Sequence, residues 1–277
     1  MAAGTAELGD LWKSRELLRN LVAKELKVRY KGSFLGFLWS LVTPLLLTGV
    51  FTVVFETFIR ITLPGGDFAS FFLSGYLVWT FFSNSVISSV GAIVGNGALI
   101  RKVYFPREVL PLSLVSSQAV HFGLALIATS PLVLLQRGFH PATLPFLLLG
   151  FALLFLFTSG VSMIFAAVNV GFRDLQELTQ VIFLVWFYLT PVIYPLSFVE
   201  ATPESAQFIP VMLANPMTWF VELFHTAMYG STVGPAGGAP ALPDLTTVAV
   251  CAAWAVVAFG VGYTLFNRLA GTFAKEV

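Results

Sequence analysis

The chain has little charge and almost no cysteine. Only 10% of its 277 residues are Asp, Glu, Lys or Arg, against roughly 25% in soluble domains, while 57% are hydrophobic and the mean hydropathy is +0.86. So few charges cannot clothe a soluble surface, and the composition reads as an integral membrane protein. The single cysteine, Cys251, lies in an apolar stretch, which excludes an intrachain disulfide and a cysteine metal cluster. None of the lysines follows a glycine, so the G-x-x-x-x-G-K-[ST] loop that cradles nucleotide phosphates is absent. His121, His140 and His225 are scattered, without an H-E-x-x-H or a pair of acids, so no metal-hydrolase constellation and no active site is visible. The first 33 residues are charged and the first apolar run is too long for a signal peptide, so no cleavage is expected.

What is present is a series of long apolar runs. Six reach the roughly 20 residues that cross a 30 Å hydrocarbon core, at about 34–60, 68–94, 108–135, 143–169, 177–196 and 245–267. A seventh run, 203–229, is interrupted by Asn215-Pro216 and carries Glu222 and His225. Proline disfavours helix in the residue before it, so two half-helices are expected there. The cations decide between six and seven crossings. With six spans and a cytoplasmic amino terminus, thirteen of the fifteen Lys and Arg fall inside, leaving only Arg60 and Arg137 outside, a strong positive-inside bias. The expected fold is an all-α polytopic membrane protein with both termini cytoplasmic. Its parts are a cytoplasmic segment 1–33, a single six-helix transmembrane domain 34–277, and an outward-side re-entrant hairpin 203–229 between the fifth and sixth helices.

The segment before the first span reads as an amphipathic interfacial helix. From Glu16 to Lys31, Glu16, Asn20, Lys24, Lys27 and Lys31 share one stripe at helical spacing. That stripe suits an anionic cytoplasmic surface. Glu25 and Arg29, an i,i+4 pair in the favourable order, lie on the opposite, apolar arc, where a purely lipid-facing helix would carry no ions. A surface anchor and a helix docked on protein both fit. Gly32-Ser33 reads as a tight elbow into the first span.

Titratable groups inside the spans are few. Glu56 has Arg60 four residues on and reads as an ion pair, while His121 sits near mid-depth in the third span as a packing residue or a relay. Glu222 and His225 fall on one face of the second half-helix. Twenty-eight Phe, six Trp and seven Tyr fit packing and an interfacial belt, or a passage whose rings stack on sugar faces. Phe51, Phe55 and Phe58 form a stripe on the first span; Phe183, Trp186, Phe187, Tyr188 and Tyr194 crowd the fifth.

The segments RNLVAKELKVRYKGSFLGFLWSLVTPLL, VYFPREVLPLS, NVGFRDL, WFYLTPVIYP and NPMTWF occur in order along nearly the whole chain. Together they resemble the membrane (permease) subunit of type 2 ABC exporters for lipid-linked polysaccharides, such as O-antigen, teichoic acid and related cell-envelope glycans. The resemblance implies a homodimer in the bacterial cytoplasmic (inner) membrane, working with two copies of a cytoplasmic P-loop ATPase. ATP and Mg would be used by that partner, this chain would bind no cofactor, and nucleic acid has no place. It implies a coupling loop at 95–107, with Arg101, Lys102, Tyr104, Phe105 and Pro106 meeting the ATPase. Lys24, Glu25, Lys27, Arg29 and Tyr30 of the interfacial helix, with Leu35 and Gly36, would border the cytoplasmic entrance. Phe51, Phe55, Phe183, Trp186, Phe187, Tyr188 and Tyr194 would line the passage, and Asn215, Pro216, Trp219, Glu222 and His225 would form the outer gate. No carbohydrate-binding extension is recognisable. Rival readings are an ABC permease for a drug or small lipid, a proton-coupled secondary transporter using Glu56, His121 or Glu222, and a membrane transferase.

Overall fold

The computed structural model describes residues 14–31, 38–61, 63, 67–103, 105–201, 203–230 and 240–276. These are mostly helical, with no strand among the described residues. Four helices are long and apolar enough to cross a membrane: α3 (Phe68–Val90), α5 (Val109–Arg137), α6 (Leu144–Gly171) and α12 (Leu245–Glu276). Two of them stop at a glycine. Gly91 follows α3, and Gly138, with φ of 78°, follows α5 in the left-handed region that favours glycine.

Lipid tails offer no hydrophobic drive for one helix to meet another, so close contact depends on small residues. The α6–α12 crossing shows this. A Cβ on Gly160 would sit 2.3 Å from the Ala258 carbonyl oxygen, and one on Gly262 would sit 2.2 Å from that of Gly160. The backbones touch there, and any side chain would force them apart. Helix α3 is the hub, buried along most of its length against α5, α6 and the helix α11 (Pro216–Met228).

Two further apolar helices are shorter. Helix α2 (Trp39–Thr52) contains Pro44 and runs on into a π-helical turn, Val53–Phe58. Helix α7 (Leu175–Tyr188) has 14 residues, about 21 Å at 1.5 Å per residue, against the expected 177–196. Pro191 supplies the reason, because a proline disfavours helix at the residue before it, Thr190, and helices end at or ahead of that point. Glu56 and Arg60 also depart from expectation. Arg60 takes φ of 59°, which ends the helix and removes the i+4 geometry, and Glu56 instead accepts a 2.6 Å hydrogen bond from the Phe68 amide.

The 203–229 segment is broken as expected. Short helices α9 (Pro203–Ala206) and α10 (Ile209–Ala214) follow α8 (Leu196–Ala201), and α11 begins directly after Asn215. At the same end of the bundle, Arg137 pairs with Asp67 at 2.6 Å and lies over the Tyr229 ring at 3.9 Å. That clamp joins the ends of α3, α5 and α11.

Candidate functional site

The residues singled out by sequence fall into four groups. At one end of the bundle, residues 95–107 contain the six-residue helix α4 (Gly97–Lys102). Arg101 and Lys102 are exposed, while Phe105 and Pro106 are half-buried. Phe105 packs on a cluster that includes Ile100, Leu110, Phe266 and Phe273. The Arg107 guanidinium donates to the Ala270 carbonyl and stands 6.0 Å from the Phe273 ring. The loop is thereby fixed to the end of α12. Beside it Glu108 is buried. Burial pushes its carboxyl above the usual range, offset in part by its own backbone amide, Arg107 and Asn267. Tyr104 lies outside the described residues.

Helix α1 (Arg15–Tyr30) packs beside this loop. Leu21 is buried, and Leu17 and Leu18 lie against the same cluster as Phe105, so the helix is docked on protein. Lys24 and Lys27 are exposed. The Glu25–Arg29 pair expected from spacing gives way to two other contacts. Glu25 pairs with its neighbour Lys24 at 3.6 Å, and Arg29 donates to the Gln118 side-chain carbonyl on α5 at 3.1 Å. The offer of a buried-edge acceptor on α5 is the physical reason. The Tyr30 side chain, Gly32-Ser33, Leu35 and Gly36 lie outside the described residues.

The aromatic residues assigned to a passage divide. Phe51 and Phe55 stack on Phe72 and Phe68 of α3, each with ring centroids 4.9 Å apart. Phe183 is buried among Phe82, Trp79 and Trp186, and Phe187 leans on Trp79 at 5.6 Å. Tyr188 is exposed, and the Tyr194 hydroxyl donates to its carbonyl at 2.8 Å.

At the opposite end, Asn215 joins the hairpin to α7. Its Oδ1 accepts from the Trp186 indole N–H at 2.8 Å and from the Met217 amide at 3.0 Å, capping α11. Its amide donates to the Thr190 hydroxyl at 2.9 Å. Trp219 donates to the Leu213 carbonyl at 2.7 Å, bridging α10 and α11 across Pro216. His225 is buried and stacks on Phe71 at 4.3 Å. Its Nε2 stands 3.3 Å from the Pro191 carbonyl and its Nδ1 2.8 Å from the Ser74 hydroxyl, which also reaches the Phe71 carbonyl at 2.8 Å. Gly75 makes this approach possible, since a Cβ there would lie 2.8 Å from Nε2. Glu222 is half-buried and accepts from Thr226 at 3.4 Å.

Against known proteins, residues 16–229 match the ABC-2 type transporter family. The chain belongs to the ABC-2 type transporter family. It is 34% identical to the O-antigen export system permease protein RfbA of Myxococcus xanthus, over 97% of this chain and 98% of that one. It is 29% identical to a permease of the same description from Klebsiella pneumoniae, over 94% of each chain. The polysialic acid transport protein KpsM of Escherichia coli is 26% identical, over 75% of this chain and 79% of its own.

Three residues of this ABC-2 chain escaped sequence reasoning: Gln118, Glu108 and Thr190. Gln118 is the polar residue three before His121 in a charge-free span, a spacing that puts both on one face. Glu108 was hidden by its place in a charged loop, where a carboxylate is ordinarily solvated. Thr190 has no sequence signal beyond preceding Pro191.

Proposed function

We propose that this chain is the transmembrane subunit of an ATP-driven exporter that moves a lipid-linked polysaccharide across the cytoplasmic membrane. The observation that carries the reading is near-full-length similarity to O-antigen permeases, with 34% identity across 97% of the chain, alongside family membership. The chain supplies no chemistry. A separate P-loop ATPase, two copies per complex, hydrolyses ATP with Mg, and two copies of this chain form the membrane part.

In this reading α2, α3, α5, α6, α7 and α12 make six crossings. The end bearing α1 and α4 faces the cytoplasm, and α10 and α11 dip back from the outer side. Irregular backbone at that depth is tolerated only against protein or a cavity, and the Asn215 and His225 hydrogen bonds meet that requirement. Arg101 and Lys102, both exposed, meet an acidic groove on the ATPase, with Phe105 as the anchor beneath. Closure of the ATPase pair pushes α4, and Arg107 passes the push to α12. Helices α2 and α7 then part from those of the second copy to admit the glycan.

Depletion of the protein, followed by mass spectrometry of lipids from the cytoplasmic membrane, tests the substrate. Lipid-linked glycan accumulates on the inner face if the reading holds. Accumulation of a small lipid or drug, with glycan export intact, overturns it in favour of the rival permease reading.

A further inference from the structure

A cavity of about 320 Å³ opens between α1, α2, α3 and α5, lined in part by Arg29, Thr43, Tyr76, Asn84, Gln118 and His121. Arg29 is the one charged group on its wall among the described residues. An adjoining hollow shares Arg29, Asn84 and Gln118 and includes Glu25, whose carboxylate is already engaged by Lys24. Gln118 lies nine residues beyond the start of α5, about 14 Å along the helix at 1.5 Å per residue. Arg29 is exposed there, so its guanidinium can meet an anion that enters the cleft. The Gln118 oxygen takes one hydrogen bond from Arg29, and a guanidinium carries five donors in a planar fork. The polar groups alternate along the wall with apolar ones, Leu77, Phe81, Phe122 and Ala125.

We propose that this cleft binds the phosphate of a membrane lipid, with Arg29 gripping the phosphate oxygens and the apolar side chains of the wall taking the start of the lipid chain. Three observations favour that guest. The lone fixed charge is positive, which rejects cations. A guanidinium fork matches a phosphate's oxygens, two at a time. The volume falls at the low end of small-ligand sites, about 300–1,000 Å³, which suits a headgroup and is far too small for a polysaccharide. Two sources carry that chemistry: bulk phospholipid, and a phosphate-linked carrier lipid of the transported glycan. The inference stands apart from the export assignment, because binding is read without ATP or transport.

The test uses the full chain purified with its ATPase partner in detergent and titrated with short-chain phosphatidic acid or the matching diacylglycerol. Phosphatidic acid binds and diacylglycerol does not. Arg29→Gln weakens phosphatidic acid binding about tenfold or more, the loss expected when charge-assisted hydrogen bonds are removed, and Arg29→Lys retains part of it. Thr43→Trp fills the mouth without altering charge and also removes binding, so the outcome does not hang on one variant. Melting midpoints without lipid stay at the parent value for all three. Mass spectrometry of copurified lipid separates the sources, since either bulk phospholipid or carrier lipid is depleted in Arg29→Gln preparations. Equal binding of diacylglycerol, or unchanged binding in both Arg29→Gln and Thr43→Trp, overturns the proposal.

Discussion

The Glu108 carboxyl lies at the root of the loop that carries α4, buried, with Oε1 lacking a hydrogen-bond partner. A buried acceptor left unpaired costs about 1–3 kcal/mol, and burial is also what raises its pKa. The sign follows from linkage. A carboxyl whose folded pKa is raised stabilises the fold at low pH and loses that contribution as pH rises through the raised value. Glu108→Gln is therefore expected to melt higher than the parent at pH 8, by roughly 2–4 °C, the shift about 1 kcal/mol makes for a chain of this size. The gap should close as pH falls toward about 4, near the ordinary glutamate value. A series of melting curves from pH 4 to 8 checks it, and a gap that widens on acidification would contradict the burial argument. Individual residues were the least legible scale. Sequence spacing places Glu25 opposite Arg29, yet it cannot see that α5 offers Gln118 to the same guanidinium. Phe183 reads as one of several rings in an aromatic run, and only the fold shows that α3 covers it.

At the scale of elements, breaks were more legible than lengths. Asn215-Pro216 announces a helix interruption by local sterics alone, and α10 and α11 part there. The shortness of α7 was hidden, because an apolar run through 177–196 continues past the backbone break before Pro191. What holds the hairpin against α7 is a tertiary contact, the Asn215 side chain shared between Trp186, Met217 and Thr190. Asn215→Ala removes the cap, worth about 1 kcal/mol, and strands the Trp186 indole N–H. A loss of about 2 kcal/mol in stability is expected, together with faster hydrogen exchange at the first amides of α11. Asn215→Asp keeps both acceptor contacts and should retain most of the protection. Equal exchange in the two variants would show that packing, and not this side chain, fixes the hairpin.

Across the whole molecule, two kinds of surface follow from the packing. Helices α3, α6 and α12 form a unit locked by the Gly160–Gly262 crossing, while α2 and α7 lie at its edge with broad apolar faces uncovered. Leu46 on α2 is 62% exposed, Val181 on α7 60% and Val185 54%; on α5, Ile127 is 72% exposed. Apolarity alone cannot say which face meets lipid and which a second copy, since both neighbours are oily. The proposed pairing of α2 and α7 across two copies makes the distinction testable. The native thiol, Cys251, is buried and leaves introduced cysteines as the reactive ones. Val185→Cys chains treated with a bismaleimide in native membranes should give a cross-linked dimer, whereas Ile127→Cys chains, more exposed but on α5, outside the proposed α2–α7 pairing, should stay monomeric. Cross-linking through Ile127→Cys in preference to Val185→Cys would move the shared passage to the α5 side and detach it from the Asn215 hairpin.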